Sequence, residues 1–131
     1  MIVLDTSAAI ELLLGLPLAP RVAEHLERAE WSIAAPQLLH IEVLQVLRRR
    51  VAAGYTTLYD ASEARSLMKD VNIRYFDHET REGRVWELRD NLTAYDACYV
   101  ALAEVLDIPL LTSDVRIARA PGHQALCTLV E

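Results

Sequence analysis

The chain has 131 residues, 53% of them hydrophobic, which is enough for one folded domain and excludes a disordered polypeptide. Its net charge of −6 argues against a protein that coats nucleic acid through bulk positive charge. No apolar run reaches the ~18 residues of a membrane span, and the N-terminus lacks the basic region of a signal sequence, so we expect a cytoplasmic protein with no membrane partner.

Short strands alternate with helices along the whole chain. Strands are predicted at residues 1–5, 31–35, 73–76, 109–112 and 126–130. Helices are predicted at residues 6–14, 18–29, 36–53, 57–71, 80–90, 93–106 and 115–120. Pro36 is expected to open the third helix, and Gly15 and Gly54 to end the first and third. Thr56 or Thr57 is expected to cap the fourth. Apolar strands separated by helices indicate a parallel sheet covered on both faces. We therefore expect a single α/β domain over residues 1–131, with three α/β/α layers and a central five-stranded parallel sheet.

Four acidic residues lie in apolar segments, where carboxylates are rarely found without a partner. Asp5 ends the first strand, Glu42 interrupts the third helix, Asp96 opens an apolar run, and Asp114 follows the fourth strand. Ligands of parallel α/β folds bind beyond the carboxyl ends of the strands, where Asp5 and Asp114 are predicted. The first helix turns after the second and fourth strands could bring Glu42 and Asp96 to the same edge.

A purely structural role is an alternative for most of these acids. Asp5 and Asp114 could cap the helices that follow them, and Thr93 with Asp96 resembles a capping box with Asp in place of Glu. Glu42 differs, since it falls within a helix among apolar neighbours and needs an Arg or a metal ion. Four clustered carboxylates repel one another without a cation. The pattern therefore favours bound Mg²⁺ or Mn²⁺ and hydrolysis of a phosphodiester.

Four blocks of sequence carry a resemblance to a known family: VLDTSA at 3–8, Glu42, LTAYDACYVALAE at 92–104 and LLTSD at 110–114. Over its full length the chain resembles the PIN-domain family and, within it, the VapC toxins of bacterial toxin–antitoxin pairs. The resemblance implies an Mg²⁺- or Mn²⁺-dependent endoribonuclease with a PIN-like fold. It assigns the catalytic and metal-binding acids, with two supporting hydroxyls, to Asp5, Glu42, Asp96, Asp114, Thr6 and Thr112.

The resemblance also implies partners for the chain. These are structured RNA such as tRNA or rRNA as substrate, a small cognate antitoxin of the VapB type in the active-site groove, and a second copy in a homodimer. Arginines near the acidic blocks could hold RNA phosphates, with exposed ion pairs as an equal alternative: Arg84, Arg89 and Arg116. For residues 48–50, three arginines at the end of the third helix, a solvated terminus is favoured over RNA contact.

Three other functions are alternatives to the toxin. A PIN-domain nuclease outside toxin–antitoxin systems would use the same four acids. A non-catalytic interaction module, with the acids as caps, predicts no thermal stabilisation by Mn²⁺. A phosphoryl-switch module is excluded because it requires a lysine after the last strand, whereas the only lysine, Lys69, lies in a predicted exposed helix.

Overall fold

The computed structural model describes all 131 residues and contains one sheet of five parallel strands. The strands are β1 (Ile2–Leu4), β2 (Ile33–Pro36), β3 (Ile73–Phe76), β4 (Leu110–Thr112) and β5 (Cys127–Leu129). Their order across the sheet is β3-β2-β1-β4-β5. β1, β2 and β4 are buried along their whole length and, apart from Thr112 at the end of β4, are apolar on both faces. The predicted five-stranded parallel sheet is confirmed.

Helices cover both faces of the sheet. They are α1 (Thr6–Leu14), α2 (Ala19–Arg28), α3 (Leu38–Ala52), α4 (Leu58–Asp70), α5 (Glu82–Glu87), α6 (Ala94–Leu106) and α7 (Val115–Arg119), with a 3₁₀ turn at Glu79–Arg81. Of the first four, α1 packs against α2, α3 and α4, whereas α6 lies on β1, β2 and β4 with α5 beside it. Right-handed crossovers put these two groups on opposite faces, which gives the expected three layers. No single helix is long and apolar enough to cross a membrane. Taken together, α1 and α2 have the length and composition of a membrane span, but the pair is bent by 112°.

Local sequence signals set most helix ends. The side chain of Asp5 accepts a hydrogen bond from the amide of Ala8 and begins α1, and Gly15 ends that helix with a left-handed φ of 60°. Thr57 and Thr93 cap α4 and α6 in the same way, each through its hydroxyl oxygen. The helix ends predicted from these caps are confirmed.

The boundary between β2 and α3 differs from the prediction. Pro36 is the last residue of β2 and does not open a helix. The chain continues to pair with β3 through Gln37, whose amide donates to the carbonyl of Phe76 at 2.9 Å. Proline is tolerated at a strand end, and α3 therefore begins only at Leu38.

Two other segments are shorter than predicted. Glu30 and Trp31 adopt left-handed φ angles of 53° and 54°, which a strand does not accommodate, so β2 begins at Ile33. The helix predicted over 80–90 is divided into the 3₁₀ turn and the six residues of α5. No side chain caps α5, and Gly83 lowers its helix propensity.

The topology creates a crevice between β1 and β4. The chain passes from β1 to β2 and β3 on one side and then returns to β4 on the other, so the strand order reverses at this point. Asp5 directly follows β1, and Asp114 lies just beyond β4. Asp96 lies in the first turn of α6, which precedes the fourth strand, so the expectation that this turn follows the fourth strand was wrong.

The core is one continuous cluster of 27 buried hydrophobic side chains. Small residues such as Ala97 and Ala103 allow α6 to approach the sheet closely. Only three polar or charged side chains are buried, namely Asp5, Thr56 and Thr112. Since buried polar groups require partners, the two at the ends of β1 and β4 mark this edge of the sheet for attention.

Candidate active site

The four predicted acids line one cleft at the reversal point, with a volume of about 320 Å³. Each reaches it from a different element: Asp5 from the end of β1, Glu42 from α3, Asp96 from α6 and Asp114 from the end of β4. The two predicted supporting hydroxyls also lie here, with Thr6 at the start of α1 and Thr112 at the end of β4. The structure thus brings together residues that are more than 100 positions apart in sequence.

Asp5 is the most buried of the acids, with 2% of its surface exposed. Its Oδ1 accepts hydrogen bonds from the Ala8 amide at 2.9 Å and the Ser7 hydroxyl at 2.8 Å, and its Oδ2 accepts one from Thr112 at 2.5 Å. Burial nevertheless outweighs these donors, and with a contribution from the charge of Asp114 it raises the pKa of Asp5 to about 6. A charged Asp5 is therefore costly in the bare cleft, and a nearby cation would offset that cost.

Glu42 is half-buried and is held by two hydroxyls, so the arginine considered as its partner is absent. Its Oε1 accepts from Tyr99 at 2.6 Å and from Thr6 at 2.9 Å, and the two hydroxyl oxygens lie 2.8 Å apart. Two hydroxyl protons serve three contacts, so at least one is donated to Oε1. No side chain or amide donates to Oε2, which leaves that oxygen available to the cleft.

Asp96 and Asp114 differ in their electrostatic environments. Burial raises the pKa of Asp96, and the charges of Asp114 and Glu42 add to the effect. Asp114 directs both carboxylate oxygens to Arg116, with Oδ2 at 2.6 Å from Nη2, and this hydrogen bonding lowers its pKa. It also accepts the Arg116 amide and begins α7, so the structural role as a helix cap is real for both Asp5 and Asp114.

The donor chemistry of the cleft suits a hard divalent cation, because every candidate ligand is a carboxylate oxygen. Asp114 and Glu42 raise the pKa of a neighbouring acid, as expected for like charges that lack a counterion. As the side chains stand, no three of them converge on one point. The Asp114 carboxylate is turned to Arg116, whose side chain is 81% exposed and therefore free to rotate away. The set fits Mg²⁺ or Mn²⁺ in chemistry and charge, and binding requires side-chain adjustment.

The predicted RNA-binding arginines do not gather in this cleft. Arg84 pairs with Glu104, eight residues or about 12 Å along α6 from Asp96, and also with Glu87. Arg89 lies over the ring of Trp86, 4.8 Å from its centroid, and does not line the cleft. Only Arg116 is next to one of the acids.

The sequence did not indicate that Ser7, Arg50 or Tyr99 would line the cleft, and for Arg50, within residues 48–50, a solvated helix terminus was favoured over RNA contact. Ser7 lies within the first motif block and contacts Asp5. Tyr99 lies three residues after Asp96, and Arg50 lies eight residues after Glu42. Positions three, four and eight apart share one face of a helix, so helical spacing from the acids was the signal that could have identified the last two.

A second cavity of about 520 Å³ is larger but lacks this chemistry. It lies between α3 and α4 at the edge strand β3, and Asp70 is the only acid among the residues that line it. Its aromatic pair, His40 and Tyr75, is stacked with the ring centroids 4.0 Å apart. The carboxylate chemistry therefore belongs to the smaller cleft.

Known proteins resemble this chain over most of its length. The model of the family described as "PIN domain" matches residues 2–123. Ribonuclease VapC12 of Mycobacterium tuberculosis is 36% identical over 130 residues, which covers 99% of each chain. Ribonuclease VapC1 of the same species is 39% identical over 121 residues, or 92% of this chain and 90% of the relative.

Solved structures share the fold at low sequence identity. VapBC2 from Rickettsia felis, bound to a DNA fragment from its promoter, matches with a TM-score of 0.73 and 14% identity over 100% of both chains. A toxin–antitoxin complex from Klebsiella pneumoniae matches with a TM-score of 0.63 and 19% identity over 91% of both chains. At these identities the likeness concerns the fold alone.

Proposed function

The chain belongs to the PIN-domain family, in its VapC branch, and from that membership we propose that it is a divalent-metal-dependent endoribonuclease toxin. The observation that carries the proposal is the convergence of Asp5, Glu42, Asp96 and Asp114 on one cleft at the reversal of strand order. The relatives at 36% and 39% identity bear the name ribonuclease. We take residues 1–131 as a single PIN domain.

We assign the four acids to the binding of Mg²⁺ or Mn²⁺. When bound, such an ion would polarise a phosphodiester and lower the pKa of a water molecule. The chain's own residues orient the ligands. Ser7 and Thr112 hold both oxygens of Asp5, and Thr6 and Tyr99 hold Oε1 of Glu42 while its Oε2 accepts no hydrogen bond from the protein.

Arg116 is the predicted arginine that best fits contact with RNA. Its side chain is 81% exposed, and its guanidinium already lies against Asp114 at the mouth of the cleft. A guanidinium in this position can exchange a carboxylate for a phosphate oxygen, because it forms similar paired hydrogen bonds with both.

We further propose that the substrate is structured RNA such as tRNA or rRNA, and that a small VapB-type antitoxin restrains the enzyme in the cytoplasm. The resemblance to VapC toxins supports both partners. A homodimer is supported by apolar side chains left exposed on α3 and around the start of α4, which are Ile41, Leu44, Tyr55, Leu58 and Tyr59.

A non-catalytic interaction module is the second candidate. It is favoured by two observations, namely that Asp5 and Asp114 do cap helices and that no three carboxylates converge as placed. A nuclease outside toxin–antitoxin systems would share every feature of the cleft, and only the identity of its RNA and partner would distinguish it.

The test of the proposed function is an RNA-cleavage assay. Purified protein is incubated with total RNA and Mn²⁺, beside an EDTA control and the Asp96→Asn variant, and new 5′ ends are sequenced. The Thr93 hydroxyl caps α6 through the Asp96 amide, which the substitution retains, so the variant should keep its fold. Discrete cuts that disappear in both controls are expected. Cuts that persist in EDTA would refute the metal-dependent mechanism.

A further inference from the structure

Arg50 is a basic side chain in an otherwise acidic cleft. It follows Glu42 and Val46 at intervals of four residues, so the three occupy one face of α3, and all three line the cleft. The other charged residues of the lining are all acids: Asp5, Glu11, Glu42, Asp96 and Asp114. Arg50 nevertheless forms no ion pair, unlike Arg84 and Arg116.

Arg50 is well separated from Glu42 along α3. Eight residues separate it from Glu42, which is about 12 Å along the helix axis. The apolar side chains of Ile10, Leu16 and Val46 also line the cleft. An anion that extends along the cleft can therefore contact both Arg50 and the acids.

The guanidinium of Arg50 is also held in place. Its Nε donates to the hydroxyl of Thr56 at 3.0 Å, and Thr56 is one of the few buried polar residues of the chain. This bond uses one of five donors, and no contact within the protein uses the two terminal nitrogens. A planar fork that is already oriented loses less conformational freedom when it binds a phosphate.

We propose that Arg50 binds a backbone phosphate of the RNA other than the one that lies at the acids. This inference rests on the proposed ribonuclease function and assigns a direction to the substrate, along α3 from Glu42 to Arg50. A single strand that enters the cleft carries a negative charge at every nucleotide, and bidentate hydrogen bonding suits arginine to such a group. The contact is independent of sequence, because it does not involve a base.

The neighbouring Arg48 provides a matched control. It lies on the same helix two residues earlier, is exposed, and donates only to Gln45. It does not line the cleft. Arg48→Gln and Arg50→Gln therefore remove the same charge from the same turn of α3, but only the second removes a charge from the cleft.

The test measures binding of end-labelled, unfractionated bacterial tRNA in Mn²⁺ over a series of salt concentrations. Both substitutions are placed in the Asp96→Asn background, so that the RNA is not cut. Arg50→Gln is expected to weaken binding roughly tenfold, and to reduce the slope of log affinity against log salt by about 0.7 to 1. Arg48→Gln is expected to change the affinity less than about twofold, as for an exposed charge outside the contact.

A Thr56→Val variant separates phosphate contact from a structural role. It removes the hydroxyl that Arg50 contacts while keeping the guanidinium charge. We expect this variant to retain most of the salt slope. If Thr56→Val loses as much affinity and slope as Arg50→Gln, Arg50 merely anchors the end of α3 and the inference is overturned.

Failure of the inference can be distinguished from failure of the proposed function. If the wild-type protein cleaves tRNA in Mn²⁺, while Arg50→Gln and Arg48→Gln have equal affinities and slopes, only the phosphate contact is refuted. If the wild-type protein neither binds nor cleaves RNA, the ribonuclease function is refuted, and the inference falls with it.

Discussion

At the scale of a single residue, the contacts of Asp5 stabilise the fold while the burial of its charge destabilises it. Its carboxylate caps α1, accepts hydrogen bonds from Ser7 and Thr112, and lies almost without solvent beside other acids. The cap and the hydroxyl bonds stabilise the fold, whereas burial of the charge destabilises it. A buried charge that destabilises the fold is expected at a functional site, where the residue type is selected for ligand binding and not for stability.

The first prediction follows from the pKa of Asp5. Because burial raises this pKa from 3.8 to about 6, the folded protein binds more protons than the unfolded chain between these values. The free energy of unfolding should therefore fall as the pH rises from about 4 to 6 and contribute no further change above that. In EDTA at pH 7.5, Asp5→Asn should be more stable than wild type by about 1 to 3 kcal/mol.

Urea unfolding in EDTA at pH 4, 6 and 7.5 measures this difference. The difference between the two proteins should be smallest at pH 4, where Asp5 is protonated in the folded state and roughly half protonated in the unfolded chain, whose pKa is 3.8. An Asn variant that is less stable than wild type at pH 7.5 would contradict the account, since it would mean that the charge on Asp5 stabilises the bare protein.

Tyr99 is the subject of a second prediction at this scale. Only 1% of it is exposed, and burial raises the pKa of its hydroxyl well above the ordinary value, so it remains a protonated donor to Glu42. Tyr99→Phe keeps the ring and removes that donor. Loss of a hydrogen bond to a metal ligand typically costs 10- to 100-fold in affinity, so we expect at least about tenfold weaker Mn²⁺ binding by titration calorimetry.

Tyr95→Phe is the control for this substitution. Tyr95 lies four residues earlier on α6, is 61% exposed and makes no side-chain hydrogen bond. Its Mn²⁺ affinity should match that of wild type. Equal affinities for Tyr99→Phe and wild type would show that Thr6 alone is enough to hold Glu42.

At the scale of elements, the sequence predicts what local chemistry controls. Gly15, Thr57 and Thr93 fix helix ends through a left-handed φ or a hydroxyl cap, and these ends are where the sequence put them. The start of β2 was placed too early, because the left-handed φ angles of Glu30 and Trp31 carry no composition signal. Convergence of the acids followed from parallel topology, which is a property of the whole sheet.

What the sequence could not provide is the partner of each side chain. Residue type alone does not distinguish Arg84 from Arg50. In the structure Arg84 is paired with Glu104, whereas Arg50 lies unpaired in the cleft. That distinction depends on how α5 and α3 are rotated and packed. Rotation is set by tertiary contacts, which one sequence does not specify.

The third prediction compares two glycines in different elements. Gly83 lies in α5 with open space around its missing side chain, so Gly83→Ala should stabilise the protein by about 0.5 to 1 kcal/mol through helix propensity. Gly122 has a φ of +88°, and a Cβ there would lie 2.6 Å from the side-chain nitrogen of Asn91, so Gly122→Ala should destabilise by at least about 1 kcal/mol. Thermal unfolding of the pair decides this, and equal effects would contradict the backbone assignment of one of them.

At the scale of the whole molecule, both the net charge and the topology favour a bound divalent cation in the cleft. A net charge of −6 repels RNA in general, and the cleft concentrates that repulsion where the acids meet. A bound divalent cation would reduce both the repulsion and the cost of burying Asp5. Binding to the folded state alone also stabilises it, by about 2.7 kcal/mol at a concentration 100 times the dissociation constant.

The central claim is that the four acids at the reversal of strand order hold a divalent cation. Calorimetric titration of Mn²⁺ into the wild-type protein at pH 7.5, beside Asp5→Asn and Asp96→Asn, tests it most directly. We predict saturable binding by the wild type and at least about tenfold weaker binding by both variants. Absence of saturable binding, or the same affinity in all three proteins, would contradict the claim and leave the acids as helix caps.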